Sequence, residues 1–118
     1  MADRMSNTRF RIFAAAAMIC TAIFTIARAD TTVVGQIARI ETVTSAAGAP
    51  GNYDLRVYLI GSPVICNNQV WAYVNVTDAN YSATVANVLA TKATGSTATL
   101  HVLQDSSGFC HLTFFDYD

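Results

Sequence analysis

His101 and His111 are the only histidines of the chain, and any general base or nucleophile partner would have to start from one of them. Both fall at polar positions of strand-like segments joined by a short turn that carries Asp105, so the two rings could face each other across a hairpin. The simpler reading is two polar residues facing solvent. Paired carboxylates for glycoside cleavage would come from Glu41, Asp54, Asp78, Asp105, Asp116 or Asp118, of which Asp116 and Asp118 read as a solvated chain end. The sequence has no glycine-rich phosphate loop. Catalysis is therefore not expected, and no catalytic residue or cofactor is assigned. A small hydrolase using His101 or His111 is the minor alternative.

Binding chemistry is better represented. Tyr53, Tyr58, Trp71, Tyr73, Phe115 and Tyr117 are many aromatic residues for a small domain, and several fall on the polar side of their strands. Ring faces beside the amides Asn67, Asn68, Gln69 and Asn75 suit a sugar, with its C–H faces and hydroxyls. They equally suit a subunit interface, where Tyr and Trp are enriched. Trp71, Tyr73, Tyr58, Asn67, Asn68 and Gln69 are thus the candidate ligand-binding residues. A structural role for Trp71 and Tyr73, as cover for the core, competes with this. Asn75-Val76-Thr77 and Asn80-Tyr81-Ser82 match the glycosylation pattern, which would be accidental in a bacterial chain.

The elements that would position these groups lie in residues 30–118. Residues 1–29 read as a removable signal peptide. Arg4, Arg9 and Arg11 precede an uncharged apolar run over 12–26, and Ala27-Arg28-Ala29 fits a cleavage site before Asp30. The run is shorter than the roughly 20 residues that cross a bilayer as a helix, although an uncleaved anchor is the competing reading. After cleavage Arg39, Arg56 and Lys92 stand against seven acidic residues, a balance of about −4 rather than the −1 of the whole chain. That argues against nucleic acid, which needs a basic footprint, and against charge-driven membrane binding. Cleavage also removes Cys20 and leaves Cys66 and Cys110. In an exported chain such a pair reads as a disulfide. The cysteines lack the C-x-x-C spacing of a metal site, so no metal is assigned. Secretion or periplasmic residence is the expected location.

Within 30–118 the pattern is one domain. Residues 32–43 are rich in branched side chains with Gly35 inside, where a bulge or bend is expected. Residues 44–52 form turns. Residues 53–60 alternate, with Leu55, Val57 and Leu59 on one face and Asp54, Arg56 and Tyr58 on the other. A loop over 64–69 leads to a strand over 70–76. A helix then starts at Tyr81, with Tyr81, Val85, Val88 and Leu89 on one face, Asp78 or Thr77 as cap, Lys92 in its last turn and Gly95 ending it. Residues 97–104 alternate with Ala98, Leu100 and Val102 inward. The turn 105–108 leads to a last strand, on which Cys110, Leu112 and Phe114 share one face. The expected fold is mainly β with one helix, in the order β-β-β-α-β-β. Five short strands favour closure into an oligonucleotide/oligosaccharide-binding (OB) barrel. An open antiparallel sheet with the helix packed on it is the alternative.

Certain short pieces resemble the small exported bacterial proteins related to B subunits of subtilase-type and pertussis-type toxins. They are Gly35-Gln36-Ile37, Cys66 before a strand with Trp71 and Tyr73, Tyr81 opening the helix, Ala93-Thr94-Gly95 closing it, and Gly108-Phe109-Cys110. The resemblance implies an OB barrel, a homo-oligomeric ring of five and binding of cell-surface glycans. This chain is shorter and has one cysteine pair, and no sugar-contacting residue carries over. The expectation is an exported, non-catalytic binding module for a glycan or a protein partner. A structural or protein-interaction domain of the periplasm or envelope is the alternative.

Overall fold

The computed structural model describes residues 30–43 and 53–118. The expected signal peptide at 1–29 and the turn segment at 44–52 lie outside the described residues. The elements are β1 (Asp30–Thr42), β2 (Leu55–Leu59), β3 (Trp71–Val74), α1 (Tyr81–Thr94), β4 (Thr97–Gln104) and β5 (Cys110–Tyr117). The chain is mainly β with one helix, and its five strands form one sheet. Sheet order differs from chain order: β1-β2-β3-β5-β4, with β4 returning to β1, so the sheet is closed. The pairs are antiparallel except β3 with β5, which run parallel. That parallel seam is short, Ala72 with Cys110 and Tyr73 with His111.

β1 is the long element that lets the sheet close. Residues 30–36 pair with β4, and from Ile37 the strand pairs with β2. The irregularity lies between Ile37 and Arg39 rather than at Gly35. Gly35 meets a different need: a Cβ there would come 3.3 Å from Leu59 Cδ1, so the glycine lets β1 approach the core.

Alternation fixes the interior. Leu55, Val57, Leu59, Ala72, Val74, Ala98, Leu100, Val102, Cys110 and Leu112 are all buried, with Ile37 from β1 and Val88 from α1. The last strand departs from strict alternation. In the β4–β5 ladder His101 opposes Phe114 while Val102 opposes Leu112, so Thr113 is an extra residue. A bulge of one residue reverses the facing of every later residue in its strand. Phe114 therefore points outward, 59% exposed, and Phe115 packs against the core, the reverse of the expected faces.

The helix covers one end with Val88 and Thr91, while Tyr81 and Val85 pack at its margin. Leu89, expected on the buried face, is 52% exposed, and Thr91 takes its place with its hydroxyl donating to the Asn87 carbonyl at 2.7 Å. The N-cap is Asn80, with no side-chain cap, rather than Asp78 or Thr77. The Asp78 carboxylate accepts the Asn75 N–H instead. The C-terminal end is as expected: Gly95 is left-handed at φ 69° and its N–H donates to Thr91 O, with Lys92 in the last turn.

A disulfide joins Cys66 to Cys110, with 5.8 Å between their Cα atoms. Cys66 opens a tight turn in which Asn67 and Asn68 both have positive φ, the mark of a type I′ turn, and the Gln69 N–H donates to Cys66 O at 2.7 Å. The bridge thus ties the approach to β3 to the first residue of β5, beside the short parallel seam. Among the described residues no helix is long and apolar enough to cross a membrane.

Candidate functional site

The outward positions of β1, β2, β3 and β5 fall into two rows across the sheet. Register places Glu41 opposite Arg56, Arg56 opposite Tyr73 and Tyr73 opposite His111. One step along, Arg39 opposes Tyr58 and Tyr58 opposes Trp71. Opposed and diagonal side chains on one face come within reach of each other, and here cations meet rings both directly, Arg39 on Tyr58, and diagonally between the rows, Arg56 on Trp71. The Arg39 guanidinium lies 4.1 Å from the Tyr58 ring centre and that of Arg56 4.7 Å from Trp71. Tyr58 donates its hydroxyl to Glu41 Oε2 at 2.8 Å, and Arg39 pairs with Glu41 Oε1 at 3.1 Å.

Beside this ladder is a second, outer aromatic cluster. Tyr53 meets Tyr73, Phe109 and Trp71 edge-on at 4.6, 4.9 and 5.9 Å between centroids. Trp71 stacks on Phe109 at 5.1 Å, and Tyr73 stacks on His111 at 4.8 Å with the planes 10° apart. Tyr53 holds a positive φ of 60°, unusual for a bulky residue, and Asn75 Oδ1 fixes it by accepting its N–H at 2.8 Å. The result is that Tyr73, on the outer side of its strand, is only 4% exposed.

Two carboxylates anchor the cluster. Asp105 Oδ2 accepts the Tyr73 hydroxyl at 2.6 Å, and its Oδ1 accepts the Ser107 and Phe109 amides. Burial, then the bond to Asp105, holds the Tyr73 phenol well above its ordinary pKa. Partial burial alone would raise Asp105. The bonds from Tyr73 and from the backbone amides outweigh it and hold that carboxyl below its ordinary value. Asp78 Oδ2 accepts from the Asn75 N–H at 2.8 Å and lies 2.7 Å from His111 Nε2.

The six candidate residues therefore divide. Tyr58 and Trp71 share one row, and Tyr73 is beside them but sealed under Tyr53 and His111. Asn67 donates to Gly108 O at 3.1 Å, bracing the two turns at the disulfide. Asn68 and Gln69 complete the same turn, and Gln69 also accepts the Ile65 N–H. All three residues lie in the turn at the disulfide, where Asn67 bonds through its side chain and Gln69 through its backbone. The ring faces expected to stack on a sugar are largely covered by other rings and guanidinium groups. Arg39, Arg56, Glu41 and Phe109 were missed as members of this surface, and Tyr53 was counted among the aromatic residues but not among the six candidates. The alternation of β2 does place Arg56 on the Tyr58 face, but only the register brings Arg39 and Glu41 alongside.

The histidines do not face each other. His111 opposes Leu103 in the β4–β5 ladder, while His101 opposes Phe114 and its Nδ1 lies 3.1 Å from the Thr32 hydroxyl. His111 and Asp78 line an open cleft of about 260 Å³ with Thr84 and Thr113. The Thr113 hydroxyl there donates to the His101 carbonyl, and both cysteines among the described residues, Cys66 and Cys110, are in the disulfide. Among the described residues no three His, Cys, Asp or Glu side chains gather as metal ligands. Comparison with protein-family models, curated proteins and solved structures found no match to this chain.

Proposed function

We propose that residues 30–118 are an exported, non-catalytic binding module of the OB type, with the outer face of β1, β2 and β3 as its binding surface. The observation that carries this reading is the ladder Arg39–Tyr58–Trp71 with Glu41 and Arg56, an ordered set of side chains on the outside of the sheet. Folding alone does not require two guanidinium groups parked on rings there. Closed sheet order, a bent first strand shared by two partners and one helix between the third and fourth strands support the OB assignment. The disulfide favours an oxidising compartment. A glycan remains the ligand class implied by the resemblance to toxin B subunits, with oligomerisation as in those rings. A protein partner is the second reading, favoured by the covered ring faces. Trp71→Ala, with the fold verified by circular dichroism, should abolish binding on a glycan array or to a co-purifying partner. Full retention of every such interaction would remove this face from consideration, and light scattering reads the oligomeric state.

A further inference from the structure

We propose that this face binds a carboxylate-bearing partner, specifically an acidic peptide segment, through Arg56 with Arg39 beside it. The proposal rests on the reading of the outer β1–β2–β3 face as the binding surface and names the chemistry of what it takes. Residues 30–118 carry only three cationic side chains besides histidine, Arg39, Arg56 and Lys92, against seven acids. Two of the three stand on this one face, diagonal neighbours across β1 and β2. Such diagonal positions lie about 7–8 Å apart along the sheet. One acid, Glu41, is in the same patch, and it is committed to Arg39 and to the Tyr58 hydroxyl.

Arg56 is the group left over. Glu41 opposes it in register but pairs with Arg39, and the ion pairs among the described residues are Arg39–Glu41 and His111–Asp78. Arg56 Nε is buried and has no hydrogen-bond partner among the described residues. A guanidinium centred 4.7 Å from the Trp71 ring, with no carboxylate partner among the described residues, offers its terminal N–H groups to one. Its Nε is buried and its Cζ sits over the Trp71 ring, contacts that restrict the side chain before an anion arrives and so reduce the freedom lost on binding. The patch is locally positive on a domain of net negative charge, so an acidic segment is drawn to it and away from the rest of the surface.

Peptide is favoured over sugar by the state of the rings. A neutral sugar would stack its C–H face on an open ring, but Arg39 sits over Tyr58, and Trp71 has Arg56 and Phe109 against it. What the face offers is charge, which an extended chain with aspartate or glutamate side chains complements.

The test is titration of the mature chain with a blocked oligoglutamate peptide, a neutral oligoglutamine peptide and a carboxylated oligosaccharide, followed by Trp71 fluorescence and backbone NMR shifts. Oligoglutamate should bind, with shifts at residues 39, 41, 56, 58 and 71, and should weaken as salt is raised. Arg56→Gln should weaken it about tenfold or more, and Arg39→Gln by less, with unchanged melting temperatures reporting intact folds. Arg56→Lys, which keeps charge but not the planar fork, should fall between. Equal binding of oligoglutamine, binding unaffected by Arg56→Gln, or binding of the oligosaccharide alone would each overturn the proposal. The last result would leave the face as a binding surface and change only its ligand, whereas failure of Trp71→Ala to affect any partner would remove the face itself.

Discussion

Replacing Cys66 and Cys110 together by alanine tests how the sheet is kept closed. The bridge spans a sequence separation of 44, for which loop-closure entropy gives about 4 kcal/mol of stabilisation. Cys110 is fully buried, so the lost sulfur also leaves a small void. The seam beside it consists of two parallel residue pairs, against seven between β1 and β4, so its backbone ladder is short and the bridge adds to the Trp71–Phe109 and Tyr73–His111 stacks that also hold it. A loss of about 4 kcal/mol corresponds to a fall of roughly 15–30 °C in melting temperature for a domain of this size. Urea unfolding followed by Trp71, the only tryptophan, is the assay, because that ring stacks on Phe109 next to the bridge. Oxidised protein, the double variant and the protein in reductant are compared, with hydrogen exchange at Ala72, Tyr73, Cys110 and His111. The double variant and the reduced protein should lose similar stability, and these amides should lose protection before those of the β1–β4 ladder. A loss below about 1 kcal/mol, or seam amides that exchange no faster than the rest, would refute the claim that the bridge closes the sheet.

Three other outcomes are expected from particular contacts. Val88→Ala should cost about 2 kcal/mol because that side chain is fully buried under the helix, whereas Leu89→Ala, at a half-exposed position, should stay within about 0.5 kcal/mol in thermal melts. Gly35→Ala should cost about 1 kcal/mol or less, since the tip of Leu59 can yield, while Gly35→Val should cost about 1–3 kcal/mol in urea unfolding. The folded state holds Asp105 below its ordinary value, so its contribution is present above the unfolded carboxyl range and is lost as pH falls through the folded value. It holds the Tyr73 proton more tightly than the unfolded chain does, so that contribution is complete below about pH 10 and declines above it. Tyr73→Phe should flatten stability at both ends of a pH series of melts, and an unchanged profile would dissociate the Tyr73–Asp105 bond from stability.

Much of the local structure was legible along the chain. The inward faces of β2 and β4 come from strict alternation, the helix end from Gly95, and the turn at 105–108 from its residue types. The cysteine pairing comes from count and compartment. These signals are short-range: each depends on the residues within one strand, one helical turn or one loop. Facing failed where one extra residue enters the ladder. Thr113 turns Phe114 out and Phe115 in, and no pattern within 110–117 marks the slip, because it depends on which residue of β4 lies opposite.

The candidate surface belonged to tertiary structure. Glu41, Arg56, Tyr73 and His111 line up only because β1 changes partner midway and β5 enters next to β3 in parallel. Likewise Tyr73, polar-side by alternation, is buried because Tyr53 and His111 arrive from elsewhere in the chain to cover it. The sequence by itself determined the elements, the inward faces of β2 and β4 and the disulfide, since each rests on periodicity or composition read over a few residues. Which cation sits on which ring, and which is left without a carboxylate, was decided by strand register, a relation between segments that neither segment contains alone.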